Sequence, residues 1–281
     1  MRGRWLLNIA LLVAVAVLGW LALADNDDQQ LQLTPLSPVD PLTITTMRIE
    51  HDQQPLIELE KIDTQWHMQT PYDTQANNTH INKLLSVLET PTHAQFNADR
   101  DLKQFGLDKP KVHMTMNTDL RISFGDVEPI GKRRYVRLND TIHVIGDSPF
   151  SQLTAAASLL VDTSLLANDA VIKSISAPGF DLQQLENGSW QVSPAGEYSA
   201  DKLNSFVDEW KHARAVFVSD PEKPSAGEQS ISIKLSDESS LRFGIVNLNT
   251  GLTVVNHQTG LHYHFAADVG EKLLNLPDPD A

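Results

Sequence analysis

Apolar residues recur along this chain in two periods, and each period predicts a different kind of secondary structure. Residues 79–89 and residues 201–211 both place apolar side chains at positions i, i+3, i+4 and i+7, a spacing that puts them on one face of an α-helix. The offset between the two sets is 122 residues at every position. These side chains are Ile81, Leu84, Leu85 and Leu88 in the first helix, and Leu203, Phe206, Val207 and Trp210 in the second.

The second period is the alternation of apolar and polar residues in residues 112–124 and residues 231–245. Such alternation is typical of antiparallel strands with one buried face and one solvated face. Trp66 and Trp190 precede the two helices at similar distances, so the pattern indicates a duplicated unit. We predict an α+β fold of two tandem similar lobes, each a mainly antiparallel sheet packed by an amphipathic helix. The first repeat covers residues 44–166, and the second, diverged repeat covers residues 167–281.

Residues 1–24 are predicted to be a transmembrane anchor. The apolar run from residue 5 to residue 24 is long enough to cross a bilayer as a helix. Two arginines before this run place the N-terminus in the cytoplasm by the positive-inside rule. The alternative is a cleaved signal peptide, because the run ends in an A-x-A sequence. Residues 25–43 are rich in Gln, Asp and Pro, and we predict that they form a tether.

Charge and composition narrow the class of function. The formal net charge is −14, and a surface of that sign repels nucleic acid. The chain contains no cysteine, which excludes disulfides, thiolate metal sites and cysteine nucleophiles. The sequence has no nucleotide-binding glycine loop, serine elbow or EF-hand motif. We therefore expect a protein that is not an enzyme and needs no cofactor.

Three histidines near the C-terminus are weak candidates for a metal site. His262 and His264 lie on one face of a predicted strand, and His257 lies across a short turn. In the competing interpretation, which we adopt, the apolar residues of this strand face the core and the histidines face water. We therefore predict no metal site.

The sequence QFGLDKP at residues 104–110 is predicted to be a helix-to-strand corner. Gly106 suits the left-handed position after a short helix, which would be capped by Asn97 or Asp99. Asp108 can close an Asx turn, and Pro110 forbids helix. The residues of this structural corner are Gly106, Leu107, Asp108 and Pro110.

A basic cluster in residues 132–138 is the best candidate for a binding surface. The corresponding stretch of the second repeat, residues 247–255, contains no Lys or Arg. Arginines beside a tyrosine suit an acidic protein surface or an anionic glycan. The alternative is a solvated hairpin face that balances nearby carboxylates. The candidate binding residues are Arg121, Lys132, Arg133, Arg134, Tyr135 and Arg137.

The order of motifs in the first repeat resembles a bacterial family of unknown function, the DUF4340 proteins. The motifs are W-x-M…P, LLSVLE, DLKQFGLDKPKVHMTM, LRISFG, RYVRL and DTSLL, and they fall between residues 44 and 166. In the second repeat the resemblance is loose, and the corner is reduced to DPEKPSAGE. Members commonly have one N-terminal transmembrane segment, and some are encoded beside components of gliding-type ABC transporters. The family supplies no catalytic residues.

This resemblance implies an extracytoplasmic accessory of a membrane complex. We expect a single-pass protein of the bacterial inner membrane, with its N-terminus in the cytoplasm and the bulk of the chain in the periplasm. Its partners would be the lipid bilayer, through residues 5–24, and a membrane protein complex such as an ABC transporter. The alternative function is an extracytoplasmic ligand-binding module for a glycan or a small anion.

Overall fold

The computed structural model describes residues 33–99, 101–221, 229–247 and 251–279. The predicted anchor at residues 1–24 and the first part of the predicted tether lie outside these ranges. Among the residues described, no helix is both long enough and apolar enough to cross a membrane.

The first lobe consists mainly of β-strands, with two short α-helices and several 3₁₀ helices in its described part. Its strands are β1 (Thr46–His51), β2 (Ile57–Ile62), β3 (Gln65–Thr70), β4 (Thr74–Gln75), β5 (Thr92–Asn97), β6 (Val112–Met116), β7 (Leu120–Val127), β8 (Arg133–Leu138) and β9 (Thr141–Gly146). Its α-helices are α1 (Asn78–Leu85), which continues as the 3₁₀ helix Ser86–Glu89, and α2 (Ser148–Leu153). Further 3₁₀ helices are Pro41–Thr43, Leu102–Phe105 and Ala157–Leu160.

The second lobe repeats this series of elements. Its strands are β10 (Ile172–Ala177), β11 (Phe180–Gln184), β12 (Trp190–Ser193), β13 (Phe217–Ser219), β14 (Ser230–Leu235), β15 (Ser240–Asn247), β16 (Leu252–Asn256) and β17 (His262–Phe265). Its helices are α3 (Ala200–Lys211) and α4 (Ala267–Leu274).

The two sheets have the same strand order apart from one strand. The first runs β4-β3-β2-β1-β6-β7-β8-β9-β5, and the second runs β12-β11-β10-β14-β15-β16-β17-β13. Each strand of the first order has a counterpart in the second, except β4. The pairings between neighbouring strands are antiparallel in both. The prediction of two mainly antiparallel sheets is therefore confirmed.

The predicted helix stripes form part of a core that is continuous through both lobes. Ile81, Leu84 and Leu85 of α1 are buried, and so are the residues at the corresponding positions Leu203 and Phe206 of α3. The helix α1 is capped at its N-terminus by Asn77, whose side chain accepts hydrogen bonds from the N–H groups of the first turn. The amphipathic stripe thus packs on the inner face of each sheet, as the spacing predicts.

The segment between the lobes joins the two sheets through backbone hydrogen bonds. The N–H of Asp162 donates to the carbonyl of Gln75 at the end of β4, at 2.9 Å. On its other side the N–H of Ala215, just before β13, donates to the carbonyl of Thr163 at 2.8 Å. A side-chain bond of 3.0 Å from the Tyr72 hydroxyl to the Asp220 carboxylate also crosses this boundary. The lobes are therefore packed against each other and are not separated by an extended linker.

The last ten residues of the predicted tether belong to the folded part of the chain. Leu36 and Ser37 are buried, and the N–H of Leu36 donates to the carbonyl of Thr90 at 3.0 Å. The N–H of Thr92, the first residue of β5, donates to the carbonyl of Thr34 at 2.9 Å, so this segment lies beside the start of β5 and the residues that lead into it. The folded part thus begins by Thr34, and the prediction that residues 34–43 are tether is wrong, because they supply hydrogen bonds to a sheet edge.

Candidate functional site

The corner at residues 104–110 has the predicted conformation but a different cap. The 3₁₀ helix Leu102–Phe105 ends at Gly106, which adopts the left-handed conformation with φ of 64°. Its N-terminal cap is Asp101, whose side chain accepts from the N–H of Lys103 at 3.1 Å. The prediction of Asn97 or Asp99 as the cap is wrong, because Asp101 takes this position, and Asn97 belongs to β5, where it pairs with Thr141.

This corner packs on the outer face of the first sheet, opposite the main core. Phe105 and Leu107 form a second apolar cluster with Ile142 of β9. The ring of Phe105 meets the ring of Tyr135 edge-on, with 4.9 Å between the ring centroids. The outer face, which the alternation predicts to be solvated, is therefore partly covered by the chain itself.

Two glycines allow the corner to approach the sheet closely. A Cβ atom on Gly125 of β7 would clash with the carbonyl oxygen of Phe105 and would lie 2.9 Å from Cγ of Leu107. A Cβ atom on Gly106 would lie 2.5 Å from the carboxyl group of Asp126. The absence of a side chain at both positions therefore sets the distance between the corner and the strand.

The strand β8 divides the predicted basic cluster between its two faces. Arg134 points inward and is only 5% exposed. Its Nε lies 2.6 Å from Oδ1 of Asp147, its Nη1 donates to the carbonyl oxygen of Gly125, and its guanidinium lies 3.4 Å from the centre of the Phe150 ring. The prediction that Arg134 belongs to a binding surface is therefore wrong, because the side chain is buried and fully engaged.

A groove of about 490 Å³ lies between the corner and the outer face of strands β6 to β8. Leu102, Leu107 and Pro110 form its apolar wall on the side of the corner. Its other side carries the guanidinium groups of Arg121 and Arg137, which project from neighbouring strands. The polar groups lining it also include Asp108, His113, Ser123 and Asn139. The corner and the basic cluster, which the sequence presents as separate features, thus meet in one site.

His113 and Ser123 join the two strands beneath the groove. They lie directly opposite each other on β6 and β7, with 2.8 Å between Nδ1 of the histidine and the serine hydroxyl. Nε of Arg121 donates to the same Nδ1 at 3.4 Å. Because a guanidinium can only donate, Nδ1 is the acceptor and the imidazole is neutral. Burial, and secondly the charge of Arg121, lower the pKa of His113, which agrees with this protonation state.

Both arginines of the groove are held by neighbours but remain open to solvent. Nη2 of Arg121 lies 3.4 Å from a carboxylate oxygen of Glu50, and the arginine side chain is 54% exposed. Nε of Arg137 donates to the carbonyl of Asn139 at 2.9 Å, and its Nη2 lies 3.5 Å from a carboxylate oxygen of Asp140. These exposed ion pairs are weak, so the guanidinium groups are available to an anion that enters the groove.

The other residues of the predicted surface lie outside the groove. Lys132 is exposed in the turn before β8, with φ of 54°. Nε of Arg133 lies 3.9 Å from a carboxylate oxygen of Glu128. Tyr135 packs in the apolar cluster of the corner. The structure therefore brings together only Arg121 and Arg137 of the predicted basic set.

The candidate histidines of the second lobe have other partners. Nε2 of His264 lies 2.9 Å from the hydroxyl of Ser219, and its Nδ1 lies 3.1 Å from the hydroxyl of Thr253. His262 is buried, so the expectation that it faces water is wrong, whereas Tyr263 is buried as the alternation predicts. His257 lies in the turn after β16. In the part of the chain that the structure describes, no three His, Asp or Glu side chains are grouped to hold a metal ion.

Two polar residues that line this groove, Ser123 and Arg137, have no polar counterpart in the second lobe. The pairing Ser123 to Arg137 in the first sheet corresponds to Gly244 to Val255 in the second, since both pairs lie beside the matching strand bulges. Arg121 retains a counterpart in Arg242 of β15. Among the described residues, the second lobe therefore retains one of the two arginines of the groove.

The fold and the site together define a two-lobed α+β protein with a cationic groove on one lobe. A sequence profile of the family described as "Domain of unknown function (DUF4340)" matches residues 66–230, more than half of the chain. The protein belongs to this family. The matched range includes the corner, the whole groove and the first part of the second lobe. A search of curated proteins and a search of solved structures found no match.

Proposed function

We propose that this protein is a non-enzymatic accessory of a membrane complex, anchored in the bacterial inner membrane with its folded part in the periplasm. The groove on the first lobe is its contact surface. The observation that carries this proposal is the meeting of the corner with Arg121 and Arg137 in one site. Arg121 is exposed and Arg137 is partly exposed, in a chain with a net charge of −14.

The chemistry of the groove favours an acidic protein segment as its occupant. Leu102, Leu107 and Pro110 offer apolar contact, while the arginines offer paired donors to a carboxylate. A segment in which an apolar side chain precedes Asp or Glu satisfies both sides of the groove. Such a segment is typical of a protein partner, because interfaces combine an apolar centre with charged groups around it.

The short connection to the predicted anchor supports a partner in or beside the membrane. With an anchor that ends at residue 24, only residues 25–33 separate it from the folded part, which begins at Thr34. Nine extended residues span at most about 30 Å. The first lobe therefore stays near the bilayer, within reach of the periplasmic parts of a membrane complex such as an ABC transporter.

The test is capture of the partner from native membranes with groove variants. Full-length tagged protein is crosslinked and purified, and the proteins that accompany it are identified by mass spectrometry. Arg121→Glu combined with Arg137→Glu is expected to abolish capture of a stoichiometric membrane component, because both cations become repulsive to an acidic segment.

Two matched controls distinguish the effect of the groove arginines from the effect of a changed net charge. Arg133→Glu changes a partly exposed residue on the same strand as Arg137, and Arg242→Glu changes the counterpart of Arg121 in the second lobe. Both are expected to retain capture, and all variants are expected to keep the melting temperature of the unaltered protein within a few degrees. Capture that survives the double groove variant, or that the controls reduce equally, contradicts the proposal.

The size of the groove favours one alternative, an extracytoplasmic ligand-binding module for a glycan or small anion. A volume of about 490 Å³ lies within the usual range of small-molecule sites. A ligand of this kind raises the melting temperature in a saturable way, because it binds only the folded state. Screening uronic acids, sulfated sugars and simple carboxylates against the full-length protein tests this function. The increase in melting temperature must disappear in the double groove variant. If no compound raises the melting temperature, the result counts against this alternative.

A further inference from the structure

The outer edges of the two sheets differ in how far other segments of the chain contact them. The segment that begins at Thr34 bonds to the first residue of β5 and to the residues just before it, and the inter-lobe segment bonds to Gln75 at the end of β4. The 3₁₀ helix Ala157–Leu160 lies against β13. The fourth edge is β12, and no other described segment forms backbone hydrogen bonds with it besides its neighbour β11.

Comparison with the first lobe shows what β12 lacks. Trp66 of β3 lies opposite Lys61, as Trp190 of β12 lies opposite Gln184, so the two tryptophans occupy the same position in their sheets. The N–H of Trp66 donates to the side chain of Asn78 at 3.0 Å, and its carbonyl accepts from the N–H of Ala76 at 2.8 Å.

In the second lobe no described residue takes the place of Ala76 or Asn78 beside Trp190. Trp66 is 2% exposed, whereas Trp190 is only half-buried. Because backbone groups alternate in direction along a strand, Trp190 and Val192 both turn their N–H and C=O groups toward the open edge.

We propose that β12 pairs with the β12 of a second copy of this chain, in antiparallel orientation about a twofold axis at Gln191. In this register Trp190 of each copy faces Val192 of the other, and these two pairs exchange four backbone hydrogen bonds. Gln191 faces Gln191 of the second copy on the solvated side, where the two amide groups can bond to each other.

The strand is self-complementary in this register. Trp190 of one copy lies opposite Val192 of the other on the core side, and an aromatic residue opposite a β-branched residue is a favourable cross-strand pair. The sequence of β12, Trp-Gln-Val-Ser, has no ionisable side chain, so two copies meet there without the repulsion expected between chains of charge −14. A twofold contact also closes on itself, which limits the assembly to two copies. The inference stands apart from the proposed function, because the groove lies on the other lobe.

Disulfide trapping tests this contact in the full-length protein, which contains no native cysteine. Gln191→Cys places the two introduced cysteines in a non-hydrogen-bonded pair, where Cα atoms are about 4.5 Å apart and a disulfide can form. The matched control is Gln183→Cys, an exposed position directly beside Gln191 on β11. Its two copies would lie three strand spacings apart, about 14 Å, which is too far for a disulfide.

We expect Gln191→Cys, and not Gln183→Cys, to give a reducible band of two copies after mild oxidation in native membranes. A Gln191→Cys protein that stays monomeric, that forms no more dimer than the control, or that links to a different protein overturns the proposal. The last outcome would assign the edge to a strand of another partner.

A second variant tests the contact without oxidation. Gln191→Lys brings two positive charges together at the axis, while the exposed side chain leaves the core of the lobe unchanged. Light scattering of the purified full-length protein is expected to show two copies for the unaltered chain and one copy for the variant, with identical circular dichroism. A single copy for the unaltered chain at tens of micromolar, or two copies for both proteins, contradicts the contact.

Discussion

Replacement of Arg134 by alanine is expected to destabilise the fold strongly, although the residue belongs to a sequence that looks like a surface cluster. The ion pair with Asp147 at 2.6 Å contributes only about 1 kcal/mol to the free energy of unfolding, because the carboxylate side chain is 37% exposed and solvent screens the pair. The carbonyl of Gly125 loses its charged donor, which costs about 1–2 kcal/mol. The contact of the guanidinium with the ring of Phe150 adds about 1 kcal/mol. The expected loss is therefore about 3 kcal/mol in the free energy of unfolding.

Urea unfolding of the full-length protein, followed by tryptophan fluorescence, measures this loss. The core residues Trp66 and Trp210 report on one lobe each. The matched control is Arg133→Ala, which truncates the neighbouring, partly exposed arginine. This variant is expected to change the free energy of unfolding by less than about 0.5 kcal/mol. If the two variants lose equal stability, the assignment of Arg134 as a structural residue is refuted.

Two further predictions concern the corner and the floor of the groove. Gly125→Ala is expected to lower the free energy of unfolding by about 1–3 kcal/mol, because the added Cβ meets Phe105 and Leu107. Gly146→Ala in β9, where a Cβ meets nothing within 4 Å, is the control, and equal melting temperatures would contradict the close approach. The lowered pKa of His113 predicts that its contribution to stability is complete above pH 6.5 and is lost as the pH falls through the folded-state pKa. Histidine NMR titration checks this, and Arg121→Gln is expected to raise the pKa only in part, since burial is the larger cause.

The periodic patterns predicted the parts of the fold that depend on local spacing. The two helix stripes and the strand alternation were sufficient to predict two similar lobes, because a period of 3.6 or 2 residues decides which side chains can share a face. The same reasoning applied to β8 would have placed Arg134 inward, since it alternates with the apolar residues Val136 and Leu138. In this stretch the basic composition favours a surface position and the alternation favours a buried one, and the structure follows the alternation.

The groove itself was beyond prediction from one sequence. It depends on which strands are neighbours, on the close seating of the corner against Gly125, and on the hydrogen bond between His113 and Ser123. None of these follows from local spacing, because each joins residues whose proximity is fixed only by sheet order and register. The contact of residues 34–37 with the start of β5 cannot be predicted for the same reason, since residues 34–43 have no periodicity of their own.

Both proposed surfaces arise where the two copies of the duplicated unit differ. In the first lobe β4 pairs with the outer strand, and Ser123 and Arg137 line the groove, whereas the described part of the second lobe has no counterpart of β4 and has Gly244 and Val255 at the two groove positions. A duplicated unit can change in this way without loss of fold, because the inner face of each sheet is preserved by the shared core. If the groove variants abolish partner capture and Gln191→Lys leaves it intact, contact with the complex and pairing of copies are separate properties, one on each lobe. If Gln191→Lys also weakens capture, the partner recognises a dimer, and the two copies of the groove act together by avidity.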